Sequence, residues 1–361
     1  MGYKRFLIEK YRELLYFFNK LDRVQAFKTS SEFQFNKKIL KICKGDIVHP
    51  CVRYSKNKFL GYNWWLIYTP YYNNNAKIEN PVLCYGIDEG NGKPPLKWNY
   101  FMKVVDEQLF GYNSDPNMYF NDIGLNIFWR ENNTPRVKKH NAYRATFGLT
   151  INSKGKINHY DKPLLIEKSR YYDKEVSPSF FEIDGQFYAY AMNLRFKNRY
   201  WIYNSSIINN ISGNLLSLLS LLELKSHIKS YGVSIWKGDT LKESFTYQKT
   251  IRFKNLNSLY KPWHLDTFVY QNVTYALIQS NKSNADICLA YKNELDDFFK
   301  VYPKPLITCN GINKLGIYKP SGVVINGIFY LFYTAQELNN RKLNKLFFSE
   351  YIFKDLISHI S

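Results

Sequence analysis

Hydrophobic positions along the chain follow two different spacings. Over residues 3–22, apolar side chains recur every three or four positions with Lys, Arg and Glu between them. This spacing predicts an amphipathic helix within an N-terminal unit of residues 1–30. Either the apolar face of the helix packs on the rest of the chain, or the helix lies on a membrane surface with its basic face outward.

From residue 31 onward, short apolar and aromatic runs alternate with Gly, Asn and Asp turns. Runs of about strand length include residues 64–68, 186–192 and 328–333. Phe, Tyr and Trp make up 18% of the chain, and such residues suit a pleated, half-buried surface. Many short strands with turns between them predict an all-β sandwich, barrel or propeller.

A repeat chooses among these architectures. Five segments open alike, with a polar residue near a proline or an aromatic residue, then an apolar strand, a turn and an aromatic strand. The openings are His49-Pro50, Asp115-Pro116, Ser177-Pro178, Trp263-His264-Leu265-Asp266 and Lys319-Pro320-Ser321. Most lie about 55–65 residues apart, which is enough for a blade of four strands. The repeat predicts one five-bladed β-propeller over residues 31–361.

Two segments depart from the repeat. The longest gap holds a leucine-rich stretch at residues 214–224, which predicts a helical insertion at about 205–230 in the third blade. The leucines of this stretch would cover most of the helix surface, which favours contact with a partner or a second copy over contact with lipid. The last blade shows three strands, and we expect residues 33–42 to supply the fourth and so close the ring.

Charge and cysteine content narrow the function. The formal net charge is +20, which attracts polyanions or else reflects a Lys-rich composition. The charges are scattered, so a nucleic-acid partner is not expected. Five cysteines without a CxxC pair indicate neither a disulfide framework nor a zinc site. The start has no unbroken apolar stretch, so we expect a cytoplasmic protein, either free or peripheral at the inner face of the membrane.

The openings also carry a resemblance. As an ordered set, the motifs of residues 45–350 resemble bacterial and phage propeller proteins similar to glycoside hydrolase family 43. The set comprises Asp46-Ile47-Val48-His49-Pro50, Trp64-Trp65, Tyr68-Thr69-Pro70-Tyr71, Glu79-Asn80-Pro81, Asn113-Ser114-Asp115-Pro116, Phe128-Trp129-Arg130, Ser177-Pro178-Ser179, Pro262-Trp263-His264-Leu265-Asp266 and Ile317-Tyr318-Lys319-Pro320-Ser321. The resemblance implies a polar axial pocket for carbohydrate. Hydrolases of this clan place an Asp general base on the first inner strand, where this sequence has His49.

The predicted pocket contains candidate catalytic carboxyl groups. Glycoside cleavage needs two carboxyl groups, one of them protonated, and the candidates are Glu79, Asp115 and Asp266. We expect Asp115 or Asp266 to act as the base and Glu79 as the acid. His49 or His264 could replace one carboxyl group, because imidazole titrates near neutral pH.

Other side chains are expected to bind the substrate. Trp263 would stack on a sugar ring near the rim. Two arginines would either hold an anionic sugar through a bidentate fork or form structural ion pairs. The full expected set is His49, His264, Trp263, Arg130, Arg144, Ser177, Lys319 and Ser321. No cofactor is expected, except that the resemblance allows a divalent ion on the axis with His49 or His264 as a ligand.

The sequence therefore predicts a carbohydrate-active protein. The first hypothesis is a glycoside hydrolase-like enzyme that acts on a surface or capsular polysaccharide sugar. The alternative is a non-hydrolytic glycan-binding protein or sugar-modifying transferase of surface-polysaccharide biosynthesis. The expected partner is a carbohydrate. Because the chain has 50 Lys and Arg against 30 Asp and Glu, an anionic carbohydrate would be favoured. Contact with a membrane or a second copy would use the N-terminal helix and the insertion.

Overall fold

The structure is a computed structural model that describes most of the chain beyond residue 30. The described residues are 31–32, 34–35, 37–72, 75–168, 173–196, 228–256, 262–280, 286–293, 296–308, 314–337 and 340–361. The predicted N-terminal helix lies outside them, as do residues 205–227 of the predicted insertion. Both therefore stay predictions.

The described residues form an all-β fold, as the sequence predicts. The strands are β1 (Ser31–Glu32), β2 (Gln34–Phe35), β3 (Ile47–Phe59), β4 (Tyr62–Pro70), β5 (Val82–Gly86), β6 (Lys97–Lys103), β7 (Tyr112–Asn121), β8 (Gly124–Asn132), β9 (Arg144–Asn152), β10 (Ile157–His159), β11 (Leu165–Glu167), β12 (Asp173–Ile183), β13 (Gln186–Phe196), β14 (Ile228–Gly238), β15 (Thr246–Lys254), β16 (Pro262–Tyr270), β17 (Val273–Ser280), β18 (Asp286–Lys292), β19 (Phe298–Val301), β20 (Lys314–Ile325), β21 (Ile328–Glu337) and β22 (Asn340–Ile352). Consecutive strands pair in antiparallel fashion, which short turns permit.

The strands form four sheets. One has the order β2-β6-β5-β4-β3, a second β10-β9-β8-β7 with β11 also on β9, and a third β1-β22-β21-β20. The fourth sheet has eight strands, because β12 to β15 and β16 to β19 are joined by a parallel pairing of β15 with β19. The strands β3, β7, β12, β16 and β20 contact one another in cyclic order, and β20 contacts β3. The arrangement is propeller-like.

Apolar side chains fill the space between neighbouring sheets. Trp64 of β4 is fully buried and packs edge-to-face against Tyr330 and Phe332 of β21, with ring centroids 5.7 and 5.8 Å away. This contact joins the first sheet along the chain to the last. Aromatic pairs of this geometry add about 0.5–1.5 kcal/mol beyond the burial of their area.

The N-terminal side of the fold closes the last sheet, though not with the expected segment. Ser31 and Glu32 of β1 pair with Phe348 and Phe347 of β22. Most of residues 33–42 do not form the predicted strand, because a helix, α1 (Lys37–Cys43), begins there. Within it, Ile39 and Cys43 are both fully buried, and their spacing of four places them on one helical face. This helical period was missed in the sequence.

Two further helices lie at the edges of sheets. Helix α2 (Pro135–Lys138) begins after Thr134, whose side-chain oxygen accepts a hydrogen bond from the backbone of Val137. Helix α3 (Phe353–Ile360) follows β22 and buries Phe353, Leu356 and Ile360 against the last sheet. A short 3₁₀ helix, Ala76–Ile78, leads from β4 toward the expected site residue Glu79.

Candidate functional site

A β-bulge recurs in the strands that approach the axis. In β3, three steps from Val48 to Cys51 match two steps from Ile67 to Thr69 in β4, so β3 contains one extra residue. The strands β7, β12 and β20 have the same irregularity at the equivalent place, and β16 has a related one. Bulges bend a strand and redirect its side chains. These bulges are the structural counterpart of the repeated openings in the sequence.

The bulges place four side chains in a left-handed backbone conformation. Each of the four residues precedes a proline: His49 (φ 53°), Asp115 (φ 48°), Ser177 (φ 51°) and Lys319 (φ 24°). L-residues other than Asn and Asp rarely adopt this conformation, because the Cβ atom crowds the following carbonyl oxygen. The packing of the strands against one another must therefore hold these residues in place.

Five buried side chains converge, and we call them the central cluster: His49, Glu79, Asp115, Ser177 and His264. Oδ1 of Asp115 lies 3.6 Å from Nε2 of His49 and 3.7 Å from Nδ1 of His264. Ser177 donates a hydrogen bond of 3.2 Å to the same oxygen. The two imidazole rings meet edge-to-face, with 5.2 Å between their centroids. The structure thus brings together five of the residues that the sequence singles out.

Both imidazoles of the central cluster are neutral at neutral pH. Burial is the main cause: it lowers the pKa of His49 to about 3, although the nearby Asp115 opposes the shift. Burial likewise holds the pKa of His264 well below its usual value. Because Thr69 donates its hydroxyl proton to the carbonyl oxygen of Val48, Nδ1–H of His49 can donate to the Thr69 oxygen at 3.0 Å. This tautomer leaves the Nε2 lone pair of His49 facing Asp115.

Asp115 is the anion at the centre of the cluster. Burial is the largest single influence and would raise its pKa, but the guanidinium of Arg130, 2.9 Å from Oδ2, acts together with His49, His264 and Lys319 to hold the pKa below its usual range. Arg130 is oriented in turn by a bond to the backbone oxygen of Glu175 and by Glu167, 3.9 Å away. Glu167 also accepts a bond of 2.7 Å from Arg144. The predicted anion-binding arginines are therefore paired with carboxylates of the protein.

Glu79 has the opposite character. It follows the 3₁₀ helix, is buried, and places Oε2 3.5 Å from Nδ1 of His49. That oxygen has no hydrogen-bond partner among the described residues. Burial and the negative charge of Asp115 raise the pKa of Glu79 well above its usual value. Glu79 is therefore a carboxyl group with a raised pKa and one unpartnered oxygen, beside a carboxyl group whose pKa is lowered.

Asp266 occupies a different environment from the other two expected catalytic carboxyl groups. Arg53 forms a bidentate pair with it, at 2.8 and 3.1 Å. Its oxygens also accept bonds from Ser179, Ser321, Asn117 and the backbone N–H of Gly322. These donors hold the pKa of Asp266 below its usual value despite burial. With its acceptor sites filled, Asp266 ties β16 to four other strands and has little capacity left to accept a proton.

The expected binding residues Ser321 and Lys319 also make internal contacts. Ser321 accepts a bond of 3.0 Å from the backbone of Val52 and donates to Asp266. Lys319 is buried and donates to the carbonyl oxygen of Pro116 at 2.8 Å. Both residues link inner strands to one another. The contacts recorded for them connect strands, and their expected role in substrate binding stays a prediction.

Half-buried side chains surround the central cluster, and we call them the rim: Tyr71, Tyr112, Lys174, Trp263 and Tyr318. The hydroxyl of Tyr318 lies 3.3 Å from Nε2 of His49. Trp263 stands edge-on to His264, with centroids 6.4 Å apart, and hydrogen-bonds Tyr318. Of the rim, only Trp263 was expected from the sequence. A tyrosine directly before Lys319-Pro320, at the start of an inner strand, could have pointed to Tyr318.

The central cluster has the donor set of a divalent metal site. His49, Asp115 and His264 each offer a ligand atom, and these atoms lie within 4.8 Å of one another. Two ligands of one tetrahedral ion, bound at about 2.0–2.1 Å, lie about 3.4 Å apart, close to the 3.6 and 3.7 Å found here. Neutral imidazoles and an ionised carboxylate are the protonation states that a metal requires. His49, Asp115 and His264 therefore fit a divalent metal ion.

The sequence matches no known protein family and no curated protein. Solved structures share its fold. An N-acetylgalactosamine deacetylase from F. plautii, crystallised with blood group B trisaccharide, aligns with a TM-score of 0.62 at 14% identity over 87% of this chain and 92% of its own. Levansucrase from Bacillus subtilis gives 0.59 at 11% identity over 93% and 90%.

A third relative carries the family resemblance. A family 43 β-xylosidase/α-arabinofuranosidase from a compost metagenome, in complex with xylotriose, gives a TM-score of 0.56 at 11% identity, covering 89% of this chain and 95% of its own. The resemblance to glycoside hydrolase family 43 is thus confirmed at the level of the fold. Separately, within the described residues no helix combines the length and apolar character needed to cross a bilayer.

Proposed function

We propose that this protein is a carbohydrate-active hydrolase that binds a divalent metal ion through His49, Asp115 and His264 and removes an acyl group from an amino sugar. The observation that carries the proposal is the convergence of these three side chains beside Glu79, a buried carboxyl group with an unpartnered oxygen. Three protein ligands with one position open to solvent or substrate are the usual pattern of a catalytic site.

The carboxyl groups favour this reaction over two-carboxylate glycoside cleavage. A general base needs a free oxygen and a pKa near the working pH. The pKa of Asp115 is lowered and its oxygens face Arg130, Ser177 and two imidazoles. The acceptor sites of Asp266 are filled. Among the three carboxyl groups expected from the sequence, only Glu79 is placed to exchange a proton.

Each side chain of the central cluster then has a defined task. An ion bound there would polarise a carbonyl oxygen and make bound water more acidic. Glu79 takes up and returns a proton at Oε2, and its raised pKa brings it closer to neutrality than an ordinary carboxyl group. Thr69 fixes the ring of His49 by accepting a hydrogen bond from Nδ1, which leaves Nε2 as the ligand atom of that ring. Trp263 and Tyr318 orient the sugar at the rim.

The choice of a carbohydrate rests on the fold relatives. The F. plautii enzyme is a deacetylase of N-acetylgalactosamine, and the other two relatives act on sugars. Folds do not determine function, so these relatives support the substrate class without deciding it. We extend the proposal to the architecture: the cyclic contacts of five inner strands favour five blades over residues 31–361, which would set the five openings around one axis.

A glycosidase is the second candidate, and one observation favours it. Neighbouring carboxyl groups whose pKa values are shifted in opposite directions are typical of an acid and its ionised partner in glycoside cleavage. The pKa of Glu79 is raised, and the pKa of Asp115 is lowered. In this reaction Glu79 would donate a proton to the leaving oxygen.

The test measures metal content and product release together. The purified protein is loaded with Zn²⁺ or Mn²⁺ and its bound metal is quantified by mass spectrometry. It is then incubated with N-acetylated oligosaccharides and with aryl glycosides, and free acetate and free phenol are assayed. The variants are His49→Ala and Glu79→Gln. The matched control is His159→Ala, which removes an exposed imidazole of β10.

We expect about one ion per chain and acetate release, both lost in His49→Ala and both unchanged in His159→Ala. Glu79→Gln should keep the ion and lose the acetate. If the protein releases phenol but no acetate, and phenol release continues after the metal is removed, the glycosidase would replace the deacylase as the proposed function. Equal metal content in the His49 and His159 variants would refute the metal centre.

A further inference from the structure

The charges around the central cluster do not balance. Arg130 is paired with Asp115, and Arg144 is paired with Glu167. The ammonium of Lys174 is different. Among the side chains that the structure describes, no carboxylate lies within ion-pair distance of it, and its recorded contact is the ring of Trp263, with Nζ 5.2 Å from the centroid. The rim therefore carries a cation without an anionic partner.

Lys174 lies close enough to the central cluster to act on its substrate. It is on β12, three residues before Ser177, and Trp263 directly precedes His264. Its charge acts electrostatically on both His49 and Glu79. Burial, followed by the positive charges of Arg130 and Arg144, lowers the pKa of Lys174 to about 7. The charges of Asp115 and Glu167 oppose this shift without forming an ion pair with Lys174, so a further anion at the rim would stabilise the ammonium.

We propose that Lys174, held against Trp263, binds a carboxylate or phosphate substituent of the glycan that enters the site. Lysine presents a compact point charge, which suits either group. Bidentate binding would instead require the planar fork of an arginine whose nitrogens are free. The paired state of Arg130 and Arg144 makes Lys174 the cation that is available. Their charges still contribute to the local positive potential.

The inference deepens the proposed function, since it takes a glycan as the ligand, but it does not depend on the metal or on turnover. It predicts that the natural substrate is an acidic glycan. The acidic group would sit at the rim while a neighbouring sugar lies above His49 and His264. The +20 net charge of the chain attracts any polyanion, so a test must separate one site from the general charge.

The experiment compares matched ligands that differ only in the anion. Binding of hyaluronan oligosaccharides and of their carboxyl-reduced forms is measured by calorimetry at about 0.15 M salt, where exposed charges are screened. A second arm uses phosphorylated mannan oligosaccharides before and after phosphatase treatment. The proteins are the wild type, Lys174→Gln, Lys174→Arg and Lys154→Gln. The last variant removes one charge from an exposed turn.

We expect the wild type to bind one acidic ligand at least tenfold more tightly than its neutral form. Lys174→Gln should abolish that preference, Lys174→Arg should retain most of it, and Lys154→Gln should leave it unchanged. Preference in the first arm alone identifies a carboxylate, and in the second alone a phosphate.

Equal loss in Lys174→Gln and Lys154→Gln would overturn the proposal, because binding would then follow total charge. Turnover of neutral glycans without any preference for acidic ones would also overturn it, while the hydrolase proposal stood. Lys174-dependent binding without acyl release would have the reverse meaning: the anion site would stand and the proposed reaction would fail.

Discussion

The imidazole rings of His49 and His264 stand edge-to-face 5.2 Å apart, although their strands lie far apart in the sequence. Each ring is neutral, and each approaches the same oxygen of Asp115. Burial disfavours the protonated, charged form of both rings. The pair is thus prepared for a cation that attracts lone pairs, which leads to the first prediction.

Metal should stabilise the fold through both rings. A ligand that binds only the folded state at a hundred times its dissociation constant adds about 2.7 kcal/mol of stability. We expect Zn²⁺ or Mn²⁺ to raise the unfolding temperature of the wild type by several degrees in differential scanning fluorimetry. His264→Ala should remove that increment, and the exposed variant His159→Ala should keep it. An equal increment in all three proteins would contradict a site at these rings.

Glu79→Gln should separate chemistry from binding. Glutamine keeps the size of the side chain but cannot exchange a proton, so we expect kcat to fall by about 10²–10⁴. KM and bound metal should change little, because Glu79 is not among the three proposed ligands. Steady-state kinetics on the metal-loaded protein would measure both. A fall in metal content equal to the fall in kcat would show that Glu79 holds the ion instead.

The sequence indicates where the site lies better than what each residue does. Four of the five openings contain an X–Pro pair, and these are the places where the structure forms its bulges. A local signal therefore locates the bulges. Whether Asp115 or Asp266 is free to react depends on donors that lie far along the chain, such as Arg53 and Gly322. No local pattern carries that information.

The same limit explains the residues that were missed. Lys174 and Glu167 look like ordinary strand charges until the fold brings Arg130 within electrostatic reach of both. The α1 helix was mistaken for a strand because its apolar positions are short of two full turns. A seven-residue run does not separate a period of 3.6 from a period of 2.

Asp266→Asn should damage stability more than chemistry. The change leaves the buried guanidinium of Arg53 without its counter-charge, and breaking a buried pair from one side costs about 3–5 kcal/mol. Denaturant unfolding would measure the loss. The double variant Arg53→Met, Asp266→Asn should recover part of it, because the unpaired charge is gone. The exposed Asp297→Asn, which breaks a surface pair with Lys249, should show no measurable loss. A wild-type midpoint in Asp266→Asn with activity abolished would instead assign Asp266 to catalysis.

Position 177 should reverse the usual preference for alanine over glycine. Ser177 has a φ of 51°, where glycine is unstrained and a Cβ atom costs about 1–2 kcal/mol. Ser177→Gly and Ser177→Ala both remove the hydroxyl, so their difference isolates the backbone. We expect the glycine variant to unfold at the higher denaturant concentration. The matched pair Ser234→Gly and Ser234→Ala, in the middle of β14, should show the ordinary order, with alanine more stable. The same order at both positions would mean that the bulge is not strained.

Glu175→Gln should change how stability depends on pH. Burial, followed by the charge of Glu167, raises the pKa of Glu175 to about 7, against about 4.3 in an unfolded chain. Between these values the folded state holds a proton that the unfolded state has lost, so wild-type stability falls as pH rises and levels off above about pH 7. Glutamine is neutral throughout and can still accept the bonds from Ser234 and Asn193. We therefore expect the two proteins to match near pH 4.5 and the variant to be more stable by on the order of 2–3 kcal/mol at pH 8. Thermal unfolding of both proteins across this range would measure the gap. A gap that is constant with pH, or that closes as pH rises, would show that Glu175 is already ionised in the folded protein at pH 5.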